Sequence, residues 1–219
     1  DEWNEERALA TLQEILTEST EPSFIEEAVG ALADIGGEAA TTIFLDAFNQ
    51  QQSAELRYVM LEQIADLQSP AVMNLLSETA LTSAVDQLAA IAIEGIADRD
   101  DNGAVAALDH IYFTTENRQR KLAALDGLGE TEREEALEVL GRIIATETQP
   151  QLLAEAASAL GNTEQEAAVA ILVDLYRGSD NADVQRGAVS GLSELDDFPA
   201  ANAALLEILE ERLNSTDGQ

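Results

Sequence analysis

Glu27-Ala28-Val29-Gly30-Ala31-Leu32-Ala33-Asp34-Ile35 decides the fold, because versions of this stretch return along the chain at a constant spacing of 32 residues. From Leu32 the step reaches Ile64, Ile96, Leu128, Leu160 and Leu192. From Ala28 it reaches Met60, Ala92, Ala124, Ala156 and Ala188, and from Val29 it reaches Leu61, Ile93, Leu125, Ala157 and Val189. No insertion or deletion interrupts these columns. A fixed period of this length marks a solenoid, in which each unit buries its apolar face against its neighbours instead of at one centre. One elongated domain spanning residues 1–219 is therefore expected, with the repeats covering about 5–213.

Each unit divides into two helical patterns. The first carries Leu9, Thr41, Met73, Val105, Leu137 and Val169, then Leu12, Phe44, Leu76, Leu108, Leu140 and Leu172, then Leu16, Phe48, Ala80, Tyr112, Ile144 and Tyr176. Spacings of three, four and seven place these on one face of an α-helix. The second pattern carries Phe24, Leu56, Leu88, Arg120, Leu152 and Val184, followed by the Ala28 and Leu32 columns.

First helices are expected at about 4–18, 38–50, 69–80, 102–114, 132–146 and 164–177, and second helices at about 22–35, 53–67, 83–97, 116–129, 149–161 and 181–195. A last helix at about 199–214 reads as a C-terminal cap, with Leu205, Ile208, Leu209 and Leu213 on one side and Glu207, Glu210, Glu211 and Arg212 on the other. Ser23 to Glu26, Ser83 to Asp86, Thr131 to Glu134 and Thr163 to Glu166 read as capping boxes. Ser69 followed by Pro70 reads as a cap with proline at the first helical position, Pro22 and Pro150 stand before second helices, and Gly36, Gly37, Gly103 and Gly129 mark turns.

The tetratricopeptide and ankyrin signatures are absent. Ala-Ala-Ser-Ala-Leu-Gly-Asn at 156–162, Ala-Val-Ser-Gly-Leu-Ser-Glu at 188–194 and Ala-Leu-Asp-Gly-Leu-Gly-Glu at 124–130 resemble the second-helix motif of short HEAT-like repeats of the phycobilisome-lyase type. The resemblance implies an all-α, right-handed α-solenoid of about six two-helix repeats with a C-terminal capping helix. It leaves activity open, since the same repeat serves lyases, regulators and scaffolds.

The charge balance is extreme, with 43 Asp and Glu against 11 Lys and Arg and a net charge of −32. Such a field repels phosphate backbones and anionic headgroups, which argues against nucleic acid as a partner. No apolar run is long enough to span a membrane. Lys121 is the only lysine, a skew that resembles proteins adapted to high salt or a saline extracytoplasmic space; an ordinary acidic bacterial protein is the alternative. Cysteine is absent, which excludes disulfides and thiolate metal sites. The chain opens at Asp1 without a basic-plus-apolar leader, as in a mature or trimmed form, and the compartment stays open between an extracytoplasmic setting and a high-salt cytoplasm of a bacterium or archaeon.

Three features invite a functional reading. The exposed face of the second helices, the concave surface of a HEAT-like solenoid, carries Glu26, Tyr58, Glu62, Glu94, Asp126 and Arg186. This acidic strip suits a protein or basic peptide partner; the plain alternative is a solvated surface in a chain acidic throughout. Asp98, Asp100, Asn102 and Asp109, with Gly103 between, follow the calcium-loop pattern, although Asp98 also lies in an inter-repeat turn column with Asp34, Asp66, Glu130, Asn162 and Glu194. Arg118, Arg120 and Lys121, with Arg57 in the column of Lys121, form a basic cluster that either binds an anion or neutralises Glu116 and Asp126. Arg120 stands in an otherwise apolar column, so its stem is expected to pack while its head leaves the core.

His110 is the only histidine, and neither a phosphate-cradling glycine loop nor a serine elbow is present. Trp3 is expected to cover the edge of the first repeat. The combination points to a monomeric, non-catalytic interaction scaffold without a cofactor, calcium aside. The alternatives are an enzyme or chromophore-handling protein similar to the phycobilin lyases, against which the few aromatics stand, and a calcium-responsive structural protein.

Overall fold

A computed structural model describes residues 2–64, 67, 69–99, 103–131 and 133–216, with the side chains of Glu2, Trp3, Ser215 and Thr216 outside the description. Among the described residues all regular structure is α-helical. The helices are α1 (Glu2–Glu18), α2 (Pro22–Ile35), α3 (Gly37–Gln50), α4 (Ala54–Glu62), α5 (Pro70–Thr82), α6 (Asp86–Ala97), α7 (Ala104–Thr114), α8 (Arg118–Glu130), α9 (Glu134–Thr146), α10 (Pro150–Asn162), α11 (Ala168–Gly178), α12 (Ala182–Glu194) and α13 (Pro199–Thr216). They form six pairs and a final single helix, as the 32-residue period requires. The expected cover of the first repeat by Trp3 lies outside the described side chains.

The helices fall into two compact units, 1–123 and 124–219, whose boundary lies within α8. In the first unit α1, α3, α5 and α7 pack in succession as one layer, and α2, α4 and α6 pack in succession as the other. In the second unit α9, α11 and α13 form one layer, with α10 and α12 beside them. Two of the periodic columns lie at the centre of both units, whereas Phe24, in a third, is exposed. Phe44, Leu76, Leu108, Leu140 and Leu172 are fully buried, as are Met60, Ala92, Ala124, Ala156 and Ala188. In the first repeat Ala8 is exposed and Leu12 half-buried, whereas Ala40 and Phe44, one period on, are closed off.

The starts of several helices obey the local rules. Ser69 Oγ accepts from the Ala71 N–H with Pro70 following, and Pro22 and Pro150 stand at the first positions of α2 and α10, where no backbone donor is needed. The four expected capping boxes do not form. Ser23 lies inside α2, and α6 and α9 start from Val85 and Arg133, neither of which caps through its side chain. Thr163 Oγ1 donates to Leu160 O at the end of α10, and Glu164 takes a φ of 53°, so α11 begins only at Ala168. A left-handed residue cannot continue a right-handed helix, which accounts for the four-residue difference from the expected start at 164. The fourth helix ends at Glu62 and not 67, because the Ile64 N–H closes onto Leu61 O and tightens the last turn.

The last helix also departs from expectation. Ile208 is buried, but Leu206, Leu209 and Leu213 are 63%, 56% and 65% exposed. Arg177 fastens this helix to α11 through Glu207 at 3.0 Å and Glu211 at 3.3 Å. The two carboxylates, Glu207 foremost, hold the guanidinium above its ordinary range.

Backbone contact between second helices defines the second unit. Gly129, expected in a turn, lies inside α8, where an added Cβ would stand 2.9 Å from Ala159 Cα. At Gly187 a Cβ would meet Ala154 Cα at 2.6 Å; at still shorter range, one at Gly161 would meet Gly191 Cα and one at Gly191 would meet Ala157 O. Only residues without a side chain let α10 and α12 approach so closely. Gly187→Ala should therefore destabilise the protein by about 1–3 kcal/mol through overpacking, despite alanine's higher helix propensity. Chemical denaturation monitored by circular dichroism should show a lower midpoint; an unchanged or raised midpoint would contradict the packing argument.

Candidate functional site: an acidic groove between α4 and α6

The two columns whose small residues let the backbones of α10 and α12 meet carry larger side chains between α4 and α6. Ala154 and Gly187 become Tyr58 and Ile91 three repeats earlier. Between α4 and α6 lies an open groove of about 650 Å³ lined by Ala54, Glu55, Tyr58, Val59, Val85, Gln87, Leu88, Ala90, Ile91 and Glu94. On α6 the residues at 87, 90, 91 and 94 share one face, and on α4 those at 54, 55, 58 and 59 do so. Leu88 and Ile91 form a buried floor, Tyr58 and Val85 are 37% and 39% exposed, and Glu55 and Glu94 stand exposed at the rim. None of the lining residues is basic. The groove combines apolar surface with negative potential, a surface for a cationic segment that also buries an apolar side chain.

Of the residues read from the sequence as a binding strip, Tyr58 and Glu94 come together here. Glu26 on α2 and Glu62 at the end of α4 are exposed and lie outside the groove lining. Asp126 and Arg186 are exposed residues of the other unit, and Arg186 is paired with Asp183 at 2.7 Å. Val59, Val85, Leu88 and Ile91 escaped the sequence reading because residues of this kind also fill the core columns.

Three members of the basic cluster, Arg57, Arg120 and Lys121, are structural. Arg120 turns inward: its guanidinium donates to Leu81 O at 2.6 Å and to Ser83 O, and it faces Asp86 at 3.9 Å. Its head thus stays within the packing, contrary to expectation, because the segment between α5 and α6 offers it unpaired carbonyls. Arg57 lies over the Phe48 ring at 4.5 Å and Lys121 over the Tyr112 ring at 4.9 Å, two repeats apart in matching columns. Arg118 is exposed.

In the acidic loop Asp98 is exposed beyond α6 and Asp109 is half-buried on α7, while Asp100 and Asn102 lie outside the described residues. Arg99, within that loop, is 3% exposed and donates to Leu67 O at 3.1 Å. Among the described residues no group of three or more His, Cys, Asp or Glu could hold a metal ion. Tyr112 and Tyr176 are buried, and His110 is exposed with Nδ1 3.3 Å from Thr114 Oγ1. Among the described residues no helix is long and apolar enough to cross a membrane.

Stacked helix pairs with a shared core define a helical-repeat protein. Residues 143–217 match the family of HEAT repeats. No curated protein matches. Solved structures similar to it include human deoxyhypusine hydroxylase, at 18% identity over 92% of this chain and 82% of that one, with a TM-score of 0.42. The complex of CpcE and CpcF of phycocyanin lyase from Nostoc sp. PCC7120 matches at 16% identity over 84% and 98% of the two chains, with a TM-score of 0.38. An engineered protein matches at 20% identity over 86% and 96%, with a TM-score of 0.45.

The Arg120 contacts fix the segment that delivers Val85 to the groove. Arg120→Met should cost about 1–3 kcal/mol by leaving the carbonyls of Leu81 and Ser83 unpaired. Hydrogen exchange should quicken at the amides of Val85 to Leu88; unchanged protection there would remove Arg120 as the support of the groove wall.

Proposed function

We propose that the protein is a non-catalytic interaction scaffold that receives a basic segment of a partner protein on the exposed face of its second helices, with the groove between α4 and α6 as the receiving site. The observation that carries this reading is the groove itself, in which the apolar surface of Tyr58, Val85, Leu88 and Ile91 is bordered by Glu55 and Glu94 with no opposing cation in the lining. Apolar burial supplies the affinity, and the carboxylates steer a cationic partner and reject anionic ones. The net charge of −32 extends that steering beyond the groove.

Selection of displayed peptides against the intact protein tests this. Enriched sequences should carry net positive charge, and their binding should weaken as salt rises. Glu55→Gln with Glu94→Gln should reduce affinity about tenfold at low salt, about 1.4 kcal/mol, with the circular dichroism spectrum unchanged. Enrichment of neutral or acidic segments as often as basic ones would sink the reading.

A further inference from the structure

The residues that precede the six second helices form one column: Glu21, Ser53, Val85, Asn117, Gln149 and Asn181, each 32 residues from the next. Five of them solve the problem of a helix start. Ser53 Oγ accepts from the Leu56 N–H; Asn117 Oδ1 accepts from Gln119 and Arg120; Asn181 Oδ1 accepts from Asp183 and Val184. Glu21 and Gln149 precede Pro22 and Pro150. Val85 does neither. Its backbone has the extended conformation of a cap (φ −103°, ψ 110°), yet its side chain can accept no hydrogen bond and Asp86 follows it in place of a proline.

An aliphatic residue at this position forgoes the stabilisation of a polar cap, and at 39% exposure it contributes little to the core. What it does contribute is the apolar wall of the groove at the mouth of α6. A local rule broken without structural gain is expected where binding is served.

We propose that Val85 is the specificity-determining residue of the groove, and that the occupant is a lysine- or arginine-rich segment which seats one large aliphatic or aromatic side chain against Val85, Leu88 and Ile91. This rests on the reading of the groove as the partner site. The cations of the segment lie toward Glu55 on α4 and Glu94 on α6, one on each bank. Ala54 and Ala90, small residues in the lining, leave room for the anchor between the banks. Charge complementarity selects this occupant over a second copy of the chain, whose own charge of −32 the groove would repel.

The test pairs two readouts that a purely structural role would move together. The intact protein, Val85→Asn and Val85→Ile are titrated with a short lysine-rich peptide bearing one central phenylalanine and with its central-alanine counterpart, and each variant is melted. The wild type should prefer the phenylalanine peptide about tenfold. Val85→Asn should erase most of that preference while raising the thermal midpoint by about 2–4 °C through the restored cap. Val85→Ile should keep the preference without the rise. A Val85→Asn protein that keeps the full preference would overturn the proposal while leaving the acidic scaffold intact, and so would a wild type that binds both peptides equally. If neither peptide binds the wild type, the scaffold reading falls together with the proposal.

Discussion

Everything in this molecule depends on how closely consecutive second helices are allowed to approach. Where glycine and alanine meet, as at Gly161 and Gly191 or Gly187 and Ala154, backbones touch and the stack is closed. Where Tyr58 and Ile91 occupy two of the same columns, an open groove lies between α4 and α6. The constant period makes this possible. With every column in register, changing side-chain size in one repeat alters one interface and leaves the core columns of the others untouched.

The scarce cations serve that same stacking. Arg99 reaches back one repeat to Leu67 O, which also accepts from the Ser69 N–H, and Arg120 reaches the carbonyls of Leu81 and Ser83 where α5 ends. Arg57 and Lys121 lie over aromatic rings that occupy one column of the first helices. Matching steps are visible in the sequence: the column of Phe48 and Tyr112 holds alanine at Ala80, and there the column of Arg57 and Lys121 holds Ala89. In these three repeats a cation accompanies the ring and alanine accompanies alanine, while Tyr176 has Gln185 in the matching position.

The helix pairs were legible because each was announced six times over, by columns that had to agree. The caps were less so, since a hydroxyl followed by an acid three residues on can close one helix as readily as open the next. Thr163 closes α10, and the left-handed Glu164 keeps α11 from starting where the motif suggested. The destination of Arg120 was hidden for a different reason: its column shows that it must pack, but not that two carbonyls of the preceding repeat lie within its reach. At the groove Tyr58 and Glu94 could be read as exposed, whereas Leu88 and Ile91 looked like any other core residue. Val85 did leave a signal, an aliphatic residue among Ser53, Asn117 and Asn181, which becomes readable once the column is known to precede helices.

Turning cations inward has a consequence for the surface. Four of the 11 basic residues, Arg57, Arg99, Arg120 and Lys121, are committed to rings and carbonyls, while 43 acids are distributed over the whole chain. The cations left for the rest of the surface are therefore few beside the acids. Salt acts on that surface in two opposed ways: it screens the self-repulsion that loosens the stack, and it screens the attraction that brings a basic segment to the groove. The apolar surface of Val85, Leu88 and Ile91 does not weaken under screening, since its contribution comes from area removed from water. A groove with an apolar interior and an acidic rim can thus hold its occupant at the ionic strength that the fold prefers, where a purely acidic strip would release it.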